Sequence, residues 1–187
     1  MDSVRCAEMR IRAFIAKSKV PEDPRHAENT LEWVMRLAPD ADEALRLAAL
    51  AHDIDRASEQ KTRREDYGDY DDFKAAHARH GAEILSRLLT GCGVPEPVRR
   101  EACRLVRLHE TGGDIRADLL KDADSLSYFE VNLPLYYARE GFDETLRRCV
   151  WGIDRLSAGA RDRLQRMFFA SEEIGDIVRA ALRTVEV

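Results

Sequence analysis

Helical periodicity runs through almost the whole of this chain, and no stretch alternates apolar and polar residues in the manner of a half-buried strand. Amphipathic helices bury their apolar stripes against one another, so the pattern predicts an all-α bundle. A first helix is expected over residues 4–17. Asp23 as N-cap with Pro24 in the first helical position opens a second, which runs to about Leu37. Asp40 and Glu43 form a capping-box-like start for a third, carrying Leu45, Ala48, Ala49 and His52. Residues 55–71 break the rhythm with alternating charges, tyrosines and one glycine, and read as a charged loop directly after His52-Asp53, of the kind that serves as a lid or binding loop. Further helices are expected over about 72–90, stopping at Gly91-Cys92-Gly93, over 95–110, and from near Asp114 through Lys121-Asp122-Ala123-Asp124 to an interruption at Pro134. The remainder reads as helices near 143–156, 158–170 and 171–185.

The 187 residues suit a single domain, with a soft boundary near residue 140. All five histidines precede the boundary; the residues after it, about 141–187, read as helices that pack on the rest. With 35% charged residues and a net charge of −5, the chain has a heavily charged surface but no general basic face for nucleic acid, leaving room only for a local basic pocket. Cys6, Cys92, Cys103 and Cys149 form no C-x-x-C pair and are expected as mostly buried reduced thiols, which points to the cytoplasm. Asp2, Arg5, Glu8 and Arg10 are incompatible with a signal-peptide core, and no window approaches the ~18 apolar residues of a membrane span.

The histidines carry the chemistry. His109 continues the apolar face of Val98, Ala102 and Leu105; His80 shares one with Phe73, Ala76, Ile84 and Leu88; His52 follows Leu45 and Ala48; His26 aligns with Thr30, Trp33 and Leu37. Four helices thus each aim a histidine at a common interior. Buried imidazoles need hydrogen-bond partners, and a shared metal ion satisfies several at once. Asp53 adds a hard oxygen ligand beside His52. Neighbours on a helix point ~100° apart, so both can reach one ion only where the helix ends. Mixed nitrogen and oxygen donors suit Mn, Fe, Co, Ni or Zn.

The ordered set of His26, then His52-Asp53 after an apolar helix Ala48-Ala49-Leu50-Ala51, then Asp124 in an Ala-Asp setting, resembles the HD-domain superfamily over roughly residues 20–130. The resemblance implies a bundle of five or more helices around a divalent metal held by His26, His52, Asp53 and Asp124, and hydrolysis of phosphate esters, often of nucleotides. Some branches of that family bind a second metal through two further histidines. His80 and His109 stand where those are expected, with Asp53 bridging the two ions. His77, one turn before His80, is an alternative to it, as Asp122 is to Asp124.

Arg56 and Lys74 are candidates to hold the phosphate, with Arg25, Arg79, Lys121 and the loop residues Arg63 and Arg64 as further basic groups. Glu110 and Asp55 are candidate acid or base partners, and Tyr128, Phe129, Tyr136 and Tyr137 are core residues or the wall of an apolar pocket. The expected partner is a small phosphorylated substrate, without membrane; apolar stretches in the last helices offer a homodimer face. Two rival functions share the scaffold: a metal- or nucleotide-binding module without turnover, and a di-iron oxygenase.

Overall fold

The computed structural model describes residues 2–185, and these form an all-α bundle. Its helices are α1 (Ser3–Ile15), α2 (Asp23–Leu37), α3 (Glu43–Ala51), α4 (Tyr70–Gly91), α5 (Glu96–Leu108), α6 (Ile115–Ser127), α7 (Leu133–Asp154), α8 (Ala158–Gln165) and α9 (Glu172–Val185). Helix α2 packs on α3 and α6, α3 on α5, α5 on α4, and α1 on α3. Leu47, Leu50, Leu85, Leu89, Leu105, Leu120 and Leu126 are fully buried between them. Helices α7 and α9 pack on each other, and α8 lies on α6. Among the described residues no helix is long and apolar enough to cross a membrane.

Aspartates cap several of these helices. Asp69 accepts from the backbone N–H of Asp71 and Asp72 at the start of α4, and Asp114 accepts from Arg116 and Ala117 at the start of α6. Each such cap contributes about 1 kcal/mol. Two expected caps are corrected. Asp42, not Asp40, caps α3, accepting from Leu45 N–H at 3.0 Å. Asp23 lies inside α2, with Glu22 at the N-cap position; its buried carboxylate turns to the Ser18 hydroxyl and to Arg56 rather than to the helix backbone.

The charged stretch after Asp53 contains two short 3₁₀ turns, Ile54–Ala57 and Arg64–Asp66. Beyond α6 the chain widens into a π-helical turn, Tyr128–Asn132, and Pro134 falls in the first turn of α7. Helix α7 is kinked at Gly141, whose φ of 76° lies in the left-handed region.

Cys6 on α1 and Cys92 at the end of α4 are joined by a disulfide, whereas Cys103 and Cys149 are free and buried. The expectation of mostly buried reduced thiols holds for Cys103 and Cys149 but not for this pair, which is not legible in the sequence because 86 residues separate the partners and only the packed bundle brings their Cα atoms to 5.7 Å. The cysteines therefore no longer argue for a reducing compartment. Mass spectrometry after thiol blocking without reductant should find two blocked cysteines, Cys103 and Cys149, and four after reduction. Closing so long a loop restricts the unfolded chain, so reduction should lower stability in urea by up to about 4–5 kcal/mol.

Candidate metal centre

The site is assembled where helices stop. Helix α3 ends at Ala51, with His52 at the C-cap, and Asp53 leaves the helix at φ −100°, ψ 17°. That break lets adjacent side chains face one place. His109 is likewise the C-cap of α5, while His26 comes from the first turns of α2, His77 from α4 and Asp124 from α6.

Each imidazole is fixed by its Nδ1. His52 Nδ1–H donates to the Ala49 carbonyl at 2.9 Å, and His109 Nδ1–H to the Val106 carbonyl at 2.7 Å. A carbonyl only accepts, so the hydrogen must be on Nδ1 and the neutral ring carries its lone pair on Nε2. His26 Nδ1 lies 2.9 Å from the Ser127 hydroxyl, which itself donates to the His26 carbonyl, and His77 Nδ1 lies 2.8 Å from Asp55 Oδ2. Four Nε2 atoms then converge on Asp53. Its Oδ2 is 4.0 Å from His26 and 3.8 Å from His52; its Oδ1 is 2.9 Å from His77 and 3.8 Å from His109. Asp124 Oδ1 closes the first group, 3.1 Å from His26 Nε2 and 3.4 Å from His52 Nε2. The two Nε2 atoms of His26 and His52 are themselves 3.1 Å apart, and the buried Nε2 of His109 has no hydrogen-bond partner. Imidazole nitrogens and carboxylate oxygens gathered in a buried space make a donor set that could hold a cation. Two groups could hold an ion, His26–His52–Asp53 and Asp53–His77–His109, and they share Asp53.

Of the expected ligands, His26, His52, Asp53, His109 and Asp124 are brought together, but His80 is not. His80 stands partly exposed, with its Nδ1 on Asp55 Oδ1, and His77 takes the place facing Asp53. The expected face of α4 was drawn through its large residues Phe73, Ile84 and Leu88. Ala76 and Ile84 of that face are buried, but so are His77, Ala78, Gly81, Ala82, Leu85 and Leu89, because α4 approaches its neighbours through small residues, and the burial extends past the expected face to His77. A Cβ on Gly81 would stand 3.6 Å from Val106 and 3.7 Å from the His52 carbonyl oxygen and from Ile54. Asp122 points elsewhere, accepting from the Ser157 backbone and hydroxyl at the start of α8.

Asp55 is fully buried and ties the site to the charged loop. Besides His77 and His80 it accepts from Thr62 N–H at 3.2 Å. A carboxylate behind a ligating imidazole fixes its ring and raises its basicity.

A cavity of about 630 Å³ opens beside the cluster, lined by His26, Asp53, His77, Glu110 and Asp124, by the loop from Lys61 to Glu65, and by Tyr128, Arg148, Trp151 and Arg155. The helices after residue 140 thus do more than pack, since α7 forms one wall. The sequence offers one signal for Arg148, Trp151 and Arg155, the i, i+3, i+7 spacing that puts them on one helix face, but nothing that directs that face to the histidines.

Among the candidate catalytic residues, Arg56 lines the cavity but spends its guanidinium on carboxylates, donating to Asp53 at 2.9 Å and pairing with Asp23 at 3.1 Å; it orients Asp53 rather than waiting for a phosphate. Lys74 pairs with Glu110 at 3.2 Å, and Arg155 donates to the same carboxylate at 2.6 Å. Burial raises the Glu110 carboxyl, but His109 and Arg155 bring it below its ordinary value, so it stays ionised and has no proton to donate near neutral pH. Arg25 and Lys121 are spent on Glu32 and Asp118, and Arg79 is exposed.

Burial lowers the His52 and His77 imidazoles, yet the carboxylates against them carry His52 up to about 9 and His77 up to about 10. Burial likewise raises Asp53 and Asp124, but Arg56 and His52 for the first, and His26 and His52 for the second, hold them well below the usual range. His109, short of such partners, is lowered by burial. Without metal, the cluster is therefore held together by protons. The raised imidazoles contribute stability that is complete below pH 6.5 and lost as pH rises through about 9 to 10. The depressed carboxylates contribute stability present above pH 3.8 and lost in strong acid.

The melting temperature of chelator-treated protein should thus fall between pH 6.5 and about 9 to 10, whereas metal-loaded protein should resist that fall, because loading requires unprotonated rings. Asp55→Asn should weaken metal binding about 10- to 100-fold by calorimetric titration. His77→Ala should lower the ion count per chain, and His80→Ala should leave it at the wild-type value.

No curated protein and no solved structure matches the chain. A family model does, over residues 10–178, and by that match the chain belongs to the family described as a domain of unknown function, DUF4202.

Proposed function

We propose that this protein is a metal-dependent phosphohydrolase of the HD kind, acting on a small phosphorylated metabolite. The observation that carries the reading is the convergence of four Nδ1-anchored imidazoles on the two oxygens of one aspartate, with the buried Nε2 of His109 lacking a partner. His26, His52, Asp53 and Asp124 would hold one ion, and Asp53, His77 and His109 a second. Divalent ions there supply a water made nucleophilic near neutral pH and positive charge against the phosphoryl oxygens.

The remaining work falls to the chain itself. Arg56 fixes the Asp53 carboxylate, and Asp55 fixes the His77 ring. Glu110, ionised and 3.8 Å from His109 Nε2, is placed to accept a proton. The cavity lining carries six cationic side chains, Arg56, Lys61, Arg63, Arg64, Arg148 and Arg155, against four carboxylates, Asp53, Glu65, Glu110 and Asp124. In a chain of net charge −5 this local excess favours an anionic substrate.

The test is phosphate release from a panel of phosphomonoesters and anhydrides by protein reloaded in turn with Mn, Co, Ni, Fe and Zn, with ions per chain measured in parallel. The expected result is two ions and turnover, with both ions lost and kcat lowered about 100-fold or more in Asp53→Ala. No ion after reloading would sink the reading. Tight metal binding without hydrolysis of any compound would leave a binding module, and oxygen consumption by the iron form would leave an oxygenase.

A further inference from the structure

Three of the aromatic residues around the cavity, Tyr70, Tyr128 and Trp151, carry cations on their rings. Trp151 has Arg148 at 4.2 Å, Arg155 at 4.8 Å and Lys74 at 5.1 Å from its ring centre, with Tyr70 against its edge at 6.3 Å. Tyr70 in turn carries Arg64 at 5.7 Å and Lys74 at 5.6 Å, and Tyr128 carries Arg148 at 5.4 Å. A nucleobase needs a free ring face on which to stack, and these rings are already engaged by side-chain cations. These three rings therefore hold guanidinium and ammonium groups in place rather than offering a platform for a base.

Two of those cations differ in how they are employed. Arg155 is bound into the metal centre, donating to Glu110 and standing 3.6 Å from Asp124 Oδ2. Arg148, seven residues earlier on α7 and so about 10 Å back along the helix axis, is half-buried in the cavity wall and has no carboxylate partner among the described residues. Its guanidinium is stacked on Trp151, which fixes the plane and leaves the N–H edge available. The buried Tyr128 hydroxyl beside it makes no well-formed hydrogen bond. A half-buried arginine with no carboxylate partner among the described residues and a buried hydroxyl beside it that no well-formed hydrogen bond satisfies stand at one place, and an anionic oxygen would answer both.

We infer that Arg148 and Tyr128 form a second anion-binding subsite, and that the substrate is a small, non-aromatic metabolite with a phosphate or carboxylate remote from its scissile phosphoryl group. The substrate is then held at both ends, by the metal centre at one and by Arg148 at the other. This rests on the hydrolase reading for its first end, while the second end is measurable without turnover.

The probes are fructose bisphosphate, fructose monophosphate and AMP, with wild type, Arg148→Ala, Arg148→Lys and, as control, Arg147→Ala on the exposed side of α7. Metal-loaded wild type should prefer the bisphosphate to both monophosphates. Arg148→Ala should raise its KM about 10- to 100-fold with little change in kcat, leaving fructose monophosphate unaffected. Arg148→Lys should recover part of the loss and Arg147→Ala should behave as wild type. Equal use of the three compounds, a preference for AMP, or an Arg148→Ala that leaves the discrimination intact would overturn the inference while leaving hydrolysis standing. If wild type releases phosphate from none of them, the panel of phosphomonoesters and anhydrides decides the hydrolase reading, and calorimetric binding decides the subsite. A Kd for the bisphosphate at least tenfold weaker in Arg148→Ala upholds it, and an unchanged Kd overturns it.

Discussion

The Nε2 atoms of His26, His52, His77 and His109 point at Asp53 because each ring is held from behind, by a backbone carbonyl for His52 and His109, a hydroxyl for His26 and a carboxylate for His77. Burial strips these lone pairs and the Asp53 and Asp124 oxygens of water, so the cluster must hold either protons or cations. The raised imidazoles and depressed carboxylates are the protonic answer to that demand. A divalent cation is the other, and the orphaned Nε2 of His109, which burial keeps neutral, is suited to the second.

The bundle is arranged to satisfy this constraint. Helix α3 stops at His52, so that consecutive residues can turn to one place, and α5 ends at His109 for the same purpose. Helix α4 comes in close through Gly81 and its flanking alanines, which brings His77 to Asp53. Helix α6 delivers Asp124, and through Ser127 it also anchors His26. Behind the cluster, Asp55 joins His77 to the backbone of the charged loop at Thr62, so the loop that borders the cavity and the orientation of the His77 ring are fixed by the same carboxylate.

Around that centre the charges are sorted. The chain as a whole is acidic, yet the cavity collects arginines and a lysine, several held against aromatic faces and several without carboxylate partners. Arg56 and Arg155 balance Asp53 and Asp124, whereas Arg148 has no carboxylate partner among the described residues.

The helical period alone determined an all-α bundle, and the placement of His26, His52, Asp53 and His109 was legible because each lies on an apolar face or at a helix end that the sequence marks, whereas Asp124 was reached only through the resemblance to the HD-domain superfamily. Such signals are local, a matter of which way a residue points from its own helix. Whether His77 or His80 faces Asp53 was not local: it depended on how closely α4 could approach α3 and α5, and the small residues that permit the approach carry little weight in an apolar pattern. Nor could spacing reveal that Cys6 meets Cys92, that Asp55 stands behind His77, or that Arg148 and Arg155 on α7 reach a cavity whose other walls come from α2, α4 and the charged loop. Those contacts join residues dozens of positions apart, and they exist only once the packed core has fixed where each helix axis lies.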